Sequence, residues 1–492
     1  MLPDIWLPIA PIALPLALAL VSLVWPRRGF VLAVGGAGLL LAIALAALVA
    51  THDGTLAQNL APTLGGWPTV LGVGLRLDLL SALFLSLTAG VGLAVVVYAQ
   101  SYFRAAQARA FWPMWWLLVT ALNTLFLAAD LFNVYVALEL LGLAAVGLSA
   151  LAGSREALAA ALRYLLVGLL GSLLYLLAVA LLYLQYGALD IATIAARIEA
   201  DAPLVGLALV LASAGLIYKA ALYPLHFWLP GAHASAAAPV SAALSALVIK
   251  AAWYLLMRLW LELFPAASSA PLLPGLALLG AAGVLYGSWR ALRAPRLKLL
   301  AAWSSVAQLG YLFLGLAMLL ALPPGPAFDT LFGGLLLFAL GHGLAKAGLF
   351  LAAGSLLHRL GHDRIDAFDG LAHRLPATAF AISIAGVALI GLPPSGAFLG
   401  KWLMLETAFA AGDVWIVLVI GVGTLLAGAY VFRVIGQLFS ATAADATDVG
   451  PVAPPALHKF HVAGEEVPAL LLGLAATLLL GLGAAPLWDW LS

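Results

Sequence analysis

Four lysines in this sequence stand where lysines are costly. Lys219, Lys250, Lys346 and Lys401 each lie inside a long apolar run, away from any charged loop. An ammonium at the centre of a bilayer costs about 2.5–3.5 kcal/mol on insertion scales, so an intramembrane ionisable group points to function before packing. Glu139 sits the same way, in DLFNVYVALELLGLAAVGL. A carboxylate beside Lys219 favours the charged form of both groups, desolvation opposes it, and separating them frees the proton of the amine. The pair can also be read as a static ion pair that fixes helix register.

His342 and Lys346 are four residues apart, hence on one helix face. Imidazole gives and takes protons near neutral pH, which suits a relay. A single buried histidine is otherwise a satisfied polar contact. Lys401 admits a plainer reading too, with its ammonium reaching the interface and Glu406 as a surface partner. His226 and His233 adjoin the break at Pro224 and are candidates for lining a water path. Ser304 and Ser305 are expected to bond their own helix backbone. Asp78 and Asp130 are expected at the ends of spans. No His, Asp or Glu grouping has the spacing of a metal site. Gly35-Gly36-Ala37-Gly38 lies within an apolar run, and no Walker motif is present. The expectation is therefore no metal, no nucleotide site and no cofactor.

The positions of these groups depend on the apolar runs that carry them. The chain has 492 residues, of which 65% are hydrophobic and 9% charged. Soluble domains carry about 25% charged residues, so most of this surface must face lipid. A net charge of +1 gives no bulk attraction to nucleic acid. With no cysteine, disulfides and thiolate chemistry are excluded. The first apolar run has no basic residue before it and Arg27 and Arg28 after it. It reads as a retained span with its N-terminus outside.

About 20 apolar residues cross a bilayer as a helix, and fourteen such runs are present. The predicted fold is an all-α integral membrane protein. Alternating the spans from an external N-terminus places Arg104, Arg155, Arg163, Arg296 and Lys298 inside, with ten further basic residues. Only Arg76, Arg197 and Arg258 fall outside, as the positive-inside rule requires. Both termini are expected outside a cytoplasmic (inner) membrane. Span 7 breaks at Tyr223-Pro224 and span 12 at Leu392-Pro393-Pro394-Ser395-Gly396. Proline removes a helix donor, and broken helices five spans apart point to an internal repeat with a site at its interface. Five is odd, so the halves must be inverted. The expected division is 1–110, three N-terminal spans; 111–262, the first repeat; 263–440, the second; and 441–492, a polar loop and the last span.

The stretches LFNVYVALELLGL, YKAALYPLHFWLPGAHASAAAPVSA, KLLAAWSSVAQLGY, GHGLAKAGLFLAAGSLLH and GLPPSGAFLGKW resemble the antiporter-like membrane subunits shared by respiratory complex I, membrane-bound hydrogenases and Mrp-type cation/proton antiporters. The resemblance is strongest toward the D subunit of the Mrp antiporters. It implies fourteen helices in two inverted five-helix repeats and a row of charged residues at mid-depth. It also implies roles: Glu139 and Lys219 as a coupling pair, Lys250 as the central relay, His342 and Lys346 on the second-half path, and Lys401 as the terminal site. One departure stands before span 10, where relatives read Asp-x-Lys-Arg. Here Arg296 and Leu299 take the acidic and second basic places, so a surface contact with a neighbouring subunit is expected to differ.

The function expected is that of a proton-translocating subunit, working with other membrane subunits and with protons and sodium ions. It is a transporter component before it is an enzyme in its own right. A redox-driven pump subunit is the alternative. A lipid-linked transferase would need paired acids in the outer loops, where acids such as Asp53, Asp190, Glu199, Asp201 and Asp329 are scattered. A non-conducting scaffold would have lost the lysines, and all are retained.

Overall fold

Proline, glycine and capping side chains cut the apolar sequence into helices, and the computed structural model describes residues 2–25, 29–53, 72–199, 202–264, 270–440 and 462–484. The polar loop of the last predicted segment lies outside the described residues. The first six spans are α1 (Leu2–Val24), α2 (Gly29–His52), α3 (Leu79–Tyr102), α4 (Ala105–Leu127), α5 (Leu131–Ala150) and α6 (Arg155–Tyr186). Span 7 is split into α7 (Pro203–Ala220) and α8 (Leu229–Ser235). Spans 8 to 11 are α9 (Ala238–Glu262), α10 (Leu273–Leu292), α11 (Leu297–Ala321) and α12 (Pro326–Leu360). Span 12 is split into α13 (Pro376–Ile390) and α14 (Gly396–Ala411). Span 13 is α15 (Val414–Phe439) and span 14 is α16 (Glu465–Leu482).

Among the described residues, 13 helical stretches are long and apolar enough to cross a membrane. The remaining crossing is α13 with α14, neither of which is long enough alone. The protein is thus an all-helical, multi-pass membrane protein. Span 7 does not end at its break. It resumes beyond Pro224 and runs to Ser235, because the apolar sequence continues through the break.

Local chemistry explains the ends. Asp78 caps α3 by accepting from Ser81 N at 2.9 Å, and Asp130 caps α5 by accepting from Asn133 N at 2.6 Å, so both acids do stand at span ends. Each satisfies an orphan donor of a first turn. α7 stops at Ala221, a non-glycine residue in the left-handed region (φ 56°). α13 stops at Gly391 (φ 79°), where glycine adopts that region without strain. Carbonyls freed at these breaks find partners inside the protein, as a membrane interior demands. Trp228 Nε1 donates to Tyr218 O at 3.2 Å, and Gln308 Nε2 to Leu389 O at 2.8 Å.

The packing pattern repeats five spans later. α4 lies along α5 as α10 lies along α11, and α6 lies along α7 as α12 lies along α13 and α14. Glycine allows the closest of these approaches. A Cβ on Gly171 of α6 would stand 2.8 Å from Gly215 O of α7, and one on Gly280 of α10 would stand 2.8 Å from Gly310 O of α11. The interior is built from α9, α11 and α12; every residue in the apolar window of α9 is buried. At the periphery, α6 exposes Leu158, Leu162, Leu166 and Leu173, and α15 exposes Leu418, Leu425 and Phe432. Apolar surface outside and polar groups within is the arrangement a bilayer selects.

Candidate functional site

The polar side chains form four stations, two of them on the interior helices α9 and α12. At the first, Lys219 at the end of α7 faces Glu139 of α5, with Nζ to Oε1 at 4.0 Å. Nζ also donates to Leu138 O at 3.5 Å. Side-chain exposure is 11% for Lys219 and 25% for Glu139. A cavity of about 30 Å³ adjoins the pair, walled by Gly142, Tyr164, Val248 and Ala252 among others. About 10–15 Å³ admits one water, so this space holds about two.

Lys250 is the second station, fully buried in α9. Residues Leu244–Val248, just before it, form a π-helical turn. Such turns shift the hydrogen-bond register and are frequent at functional sites. Lys250 Nζ donates to Ser245 O at 3.0 Å. Ser245 Oγ in turn bonds Ser305 Oγ of α11 at 2.8 Å.

The third station is on α12. Lys346 Nζ donates to Ala301 O at 2.7 Å and to Ser304 Oγ, both on α11. His342, one turn away, stacks on Phe338 and is within electrostatic range of Lys250, Lys346 and Lys401. Neither of its ring nitrogens has a protein partner among the described residues. Ser304 and Ser305 do bond their own helix, through Ala301 O. They also join α9 to α12, a role their sequence context does not announce. The tandem of serines in an apolar span is the only signal.

The fourth station is Lys401, in the second turn of α14. Its Nζ donates to Ile390 O at the break (3.0 Å), approaches Thr424 Oγ1 (3.4 Å) and lies 4.2 Å from the centre of the Tyr311 ring. It is 4% exposed, whereas Glu406 is exposed. The reading in which Lys401 reaches the interface toward Glu406 is therefore corrected. The freed carbonyl and the ring hold the ammonium inward, a cation–π geometry strengthened by desolvation.

His226 and His233 occupy different surroundings. His226 sits among Tyr223, Tyr286 and Trp303, with ring centroids 5.3–5.5 Å away. His233 is fully buried against Phe350 of α12, in electrostatic range of Lys250, Lys298 and Lys346. Its ring nitrogens also have no protein partner among the described residues. Lys298, assigned from sequence to the basic inside set, is buried at the start of α11. The departure before span 10 closes on the chain itself: Arg296 Nε donates to Asp363 at 2.7 Å.

Two open cavities mark opposite ends. One, of about 1210 Å³, is bordered by Arg104, Arg155, Arg163, Arg296 and Lys298, all from the set assigned inside. The other, of about 500 Å³, is bordered by Arg76, Arg258 and Glu262, whose two arginines belong to the set assigned outside. There Arg258 Nη2 grips both oxygens of Asp78 at 2.6 Å, and Glu262 takes Arg258 at 3.1 Å and Arg76 at 2.7 Å. Burial pushes the Asp78 carboxyl up, but the Arg258 guanidinium and the Ser81 amide outweigh it and hold it below the usual carboxylate range.

A multi-pass helical protein with two broken spans and a file of buried lysines and histidines belongs to the class of membrane-embedded ion-handling subunits. More narrowly, the chain belongs to the NADH:quinone oxidoreductase/Mrp antiporter transmembrane family, whose model matches residues 128–427. It is 37% identical over 500 residues to NADH-quinone oxidoreductase subunit N of Desulforudis audaxviator, covering 96% of this chain and 95% of that protein. It is 29% identical to the D subunit of the Na(+)/H(+) antiporter of Bacillus subtilis, over 77% of this chain and 75% of that one. A chain of the Mrp complex from Dietzia sp. superposes with a TM-score of 0.88 at 26% identity, covering all of this chain and 96% of its own.

Proposed function

We propose that the protein moves protons through a multisubunit membrane complex along Glu139–Lys219, Lys250, His342 and Lys346, and Lys401. One observation carries this reading. The buried lysines at the last three stations are held by backbone carbonyls, hydroxyls and an aromatic ring, not by carboxylates. A fixed counter-charge would trap a proton; neutral partners let an amine give it up and take it back. The unpartnered nitrogens of His233 and His342 call for water, since buried polar groups are satisfied by protein or by ordered water. The one carboxylate, Glu139, stands at the first station, where opening and closing the pair gates the file.

The basic vestibule faces the cytoplasm of an inner membrane, by the positive-inside rule, and both termini lie outside. The companions are other membrane subunits, and the most fitting complex is a sodium/proton antiporter of the Mrp type. A redox-driven complex is the second reading, favoured by the 37% likeness to a quinone oxidoreductase subunit.

The test is proton flux in vesicles carrying the assembled complex, comparing wild type with Lys219→Gln and Lys250→Met. Normal assembly with flux below about a tenth of wild type is expected; wild-type flux in both variants defeats the proposal. Flux started by a sodium gradient supports antiport, and flux started only by NADH or a reduced quinone supports the redox reading.

A further inference from the structure

The basic vestibule ends on a lysine with no place among the four stations. Lys298 borders it, is 1% exposed, and points Nζ at Ala236 O. Ala236 lies in the gap between α8 and α9, where the helix stops and its carbonyls are released. Ser241 Oγ also reaches this gap, donating to His233 O at 2.7 Å and lying 3.2 Å from Ala237 O. Among the described residues no carboxylate comes within 4.0 Å of Lys298 Nζ. Asp363 is nearby, but it takes the backbone amide of Lys298 at 3.0 Å and the Arg296 guanidinium at 2.7 Å. It is a latch on the loop before α11, not a clamp on the ammonium.

Beyond Lys298 lies His233, in electrostatic range of Lys298 on one side and of Lys250 and Lys346 on the other. Its ring stacks on Phe350, centroids 5.7 Å apart. The other charged groups around the vestibule are Arg104, Arg155, Arg163, Glu156 and His358, and His358 is occupied with Glu465 at 3.0 Å. A lining this rich in arginine repels metal cations, while a proton needs only water and a basic acceptor.

We propose that Lys298 is the proton acceptor at the floor of the vestibule and that it passes protons to His233, making the inlet through which vestibule protons join the file at its centre. The amine takes a proton from vestibule water and becomes an ammonium. The proton then passes through water to a ring nitrogen of His233, which has no protein partner among the described residues, and the net charge of the pair is unchanged by that second step. This inference rests on the proton-moving function proposed above.

The test compares Lys298→Arg, Lys298→His and Lys219→Gln in the assembled complex, with assembly followed by native gel and proton uptake by a pH dye. Arginine keeps the charge and a donor for Ala236 O but does not release its proton; histidine does. The expected result is normal assembly with uptake at least about tenfold down for Lys298→Arg. Lys298→His should recover several-fold over arginine, its uptake rising as the vestibule side is acidified below about pH 6.5. Wild-type uptake in Lys298→Arg overturns the inlet and leaves Lys298 a structural tie. Equal loss in the arginine and histidine variants overturns it as well. Should the arginine variant fail to assemble, the acid-dependent uptake of Lys298→His decides alone, and its absence counts against the inlet. Lys219→Gln conducting like wild type sinks the underlying function instead.

Discussion

Glu139→Gln isolates the gate from the rest of the file. The Glu139 carboxylate is 4.0 Å from Lys219 Nζ. At an effective dielectric of about 20, unit charges at this distance interact by about 4 kcal/mol. Glu139 is a quarter exposed, and exposed pairs are screened well below that figure, so about 2 kcal/mol is the fair magnitude. The glutamine keeps the shape and removes the charge, leaving Lys219 with Leu138 O at 3.5 Å. If loading a proton onto Lys219, which the closed pair favours, sets the rate-limiting step, about 2 kcal/mol corresponds to a roughly 30-fold fall in flux. Glu139→Asp retains the charge one methylene further back and should lose several-fold less. The assay is initial proton uptake by vesicles holding equal amounts of assembled complex, with Lys401→Met as a reference that blocks the file elsewhere. Flux in Glu139→Gln within about twofold of wild type, at normal assembly, would refute the gate and leave a static pair that fixes register.

Further tests follow from other contacts. Ser304→Ala removes one hydroxyl partner of Lys346 while Ala301 O remains; losing such a charge-assisted bond costs about 1.5 kcal/mol, and flux should fall about tenfold while the melting temperature drops by no more than about 3 °C. Thr424→Val should change flux about twofold or less, because its 3.4 Å contact with Lys401 is weak beside the 3.0 Å bond to Ile390 O. Gly280→Ala sets a Cβ against the α11 backbone and should lower thermal stability in detergent by about 1–3 kcal/mol. Asp78→Asn leaves Arg258 buried without its bidentate partner and should cost about 3–5 kcal/mol. The pH dependence has a definite sign. The Asp78 carboxyl is held below its ordinary range, so its contribution is full above about pH 4 and is lost as pH falls through the lowered value. Melting curves of wild type should therefore drop below about pH 4 more steeply than those of Asp78→Asn.

The sequence was most informative where burial is costly. Four lysines within apolar runs were legible because hydrocarbon excludes them unless the interior has work for them. Lys250 and Lys346 are wholly buried, Lys401 is buried and Lys219 is partly buried. Pro224 and Pro393-Pro394 were legible because proline cannot continue a helix, and both breaks fall where expected. Lys298 was not legible. It lies among basic residues at a span boundary, so its surroundings in sequence are those of a positive inner loop. Only the approach of the α8–α9 gap, distant in the chain, makes it a buried group. Ser245, Ser304 and Ser305 carry no sequence signal beyond small size and polarity.

The length of the apolar runs, proline and the distribution of arginine thus determined the class of protein, the number of crossings and the expected sidedness, since each follows from what a bilayer excludes from a single helix. What holds each lysine was decided by the tertiary structure alone. The carbonyl of Ser245, the hydroxyl of Ser304, the freed carbonyl of Ile390 and the ring of Tyr311 become partners only when helices cross. The distance between groups far apart in the chain is a property of packing, and no local pattern encodes it.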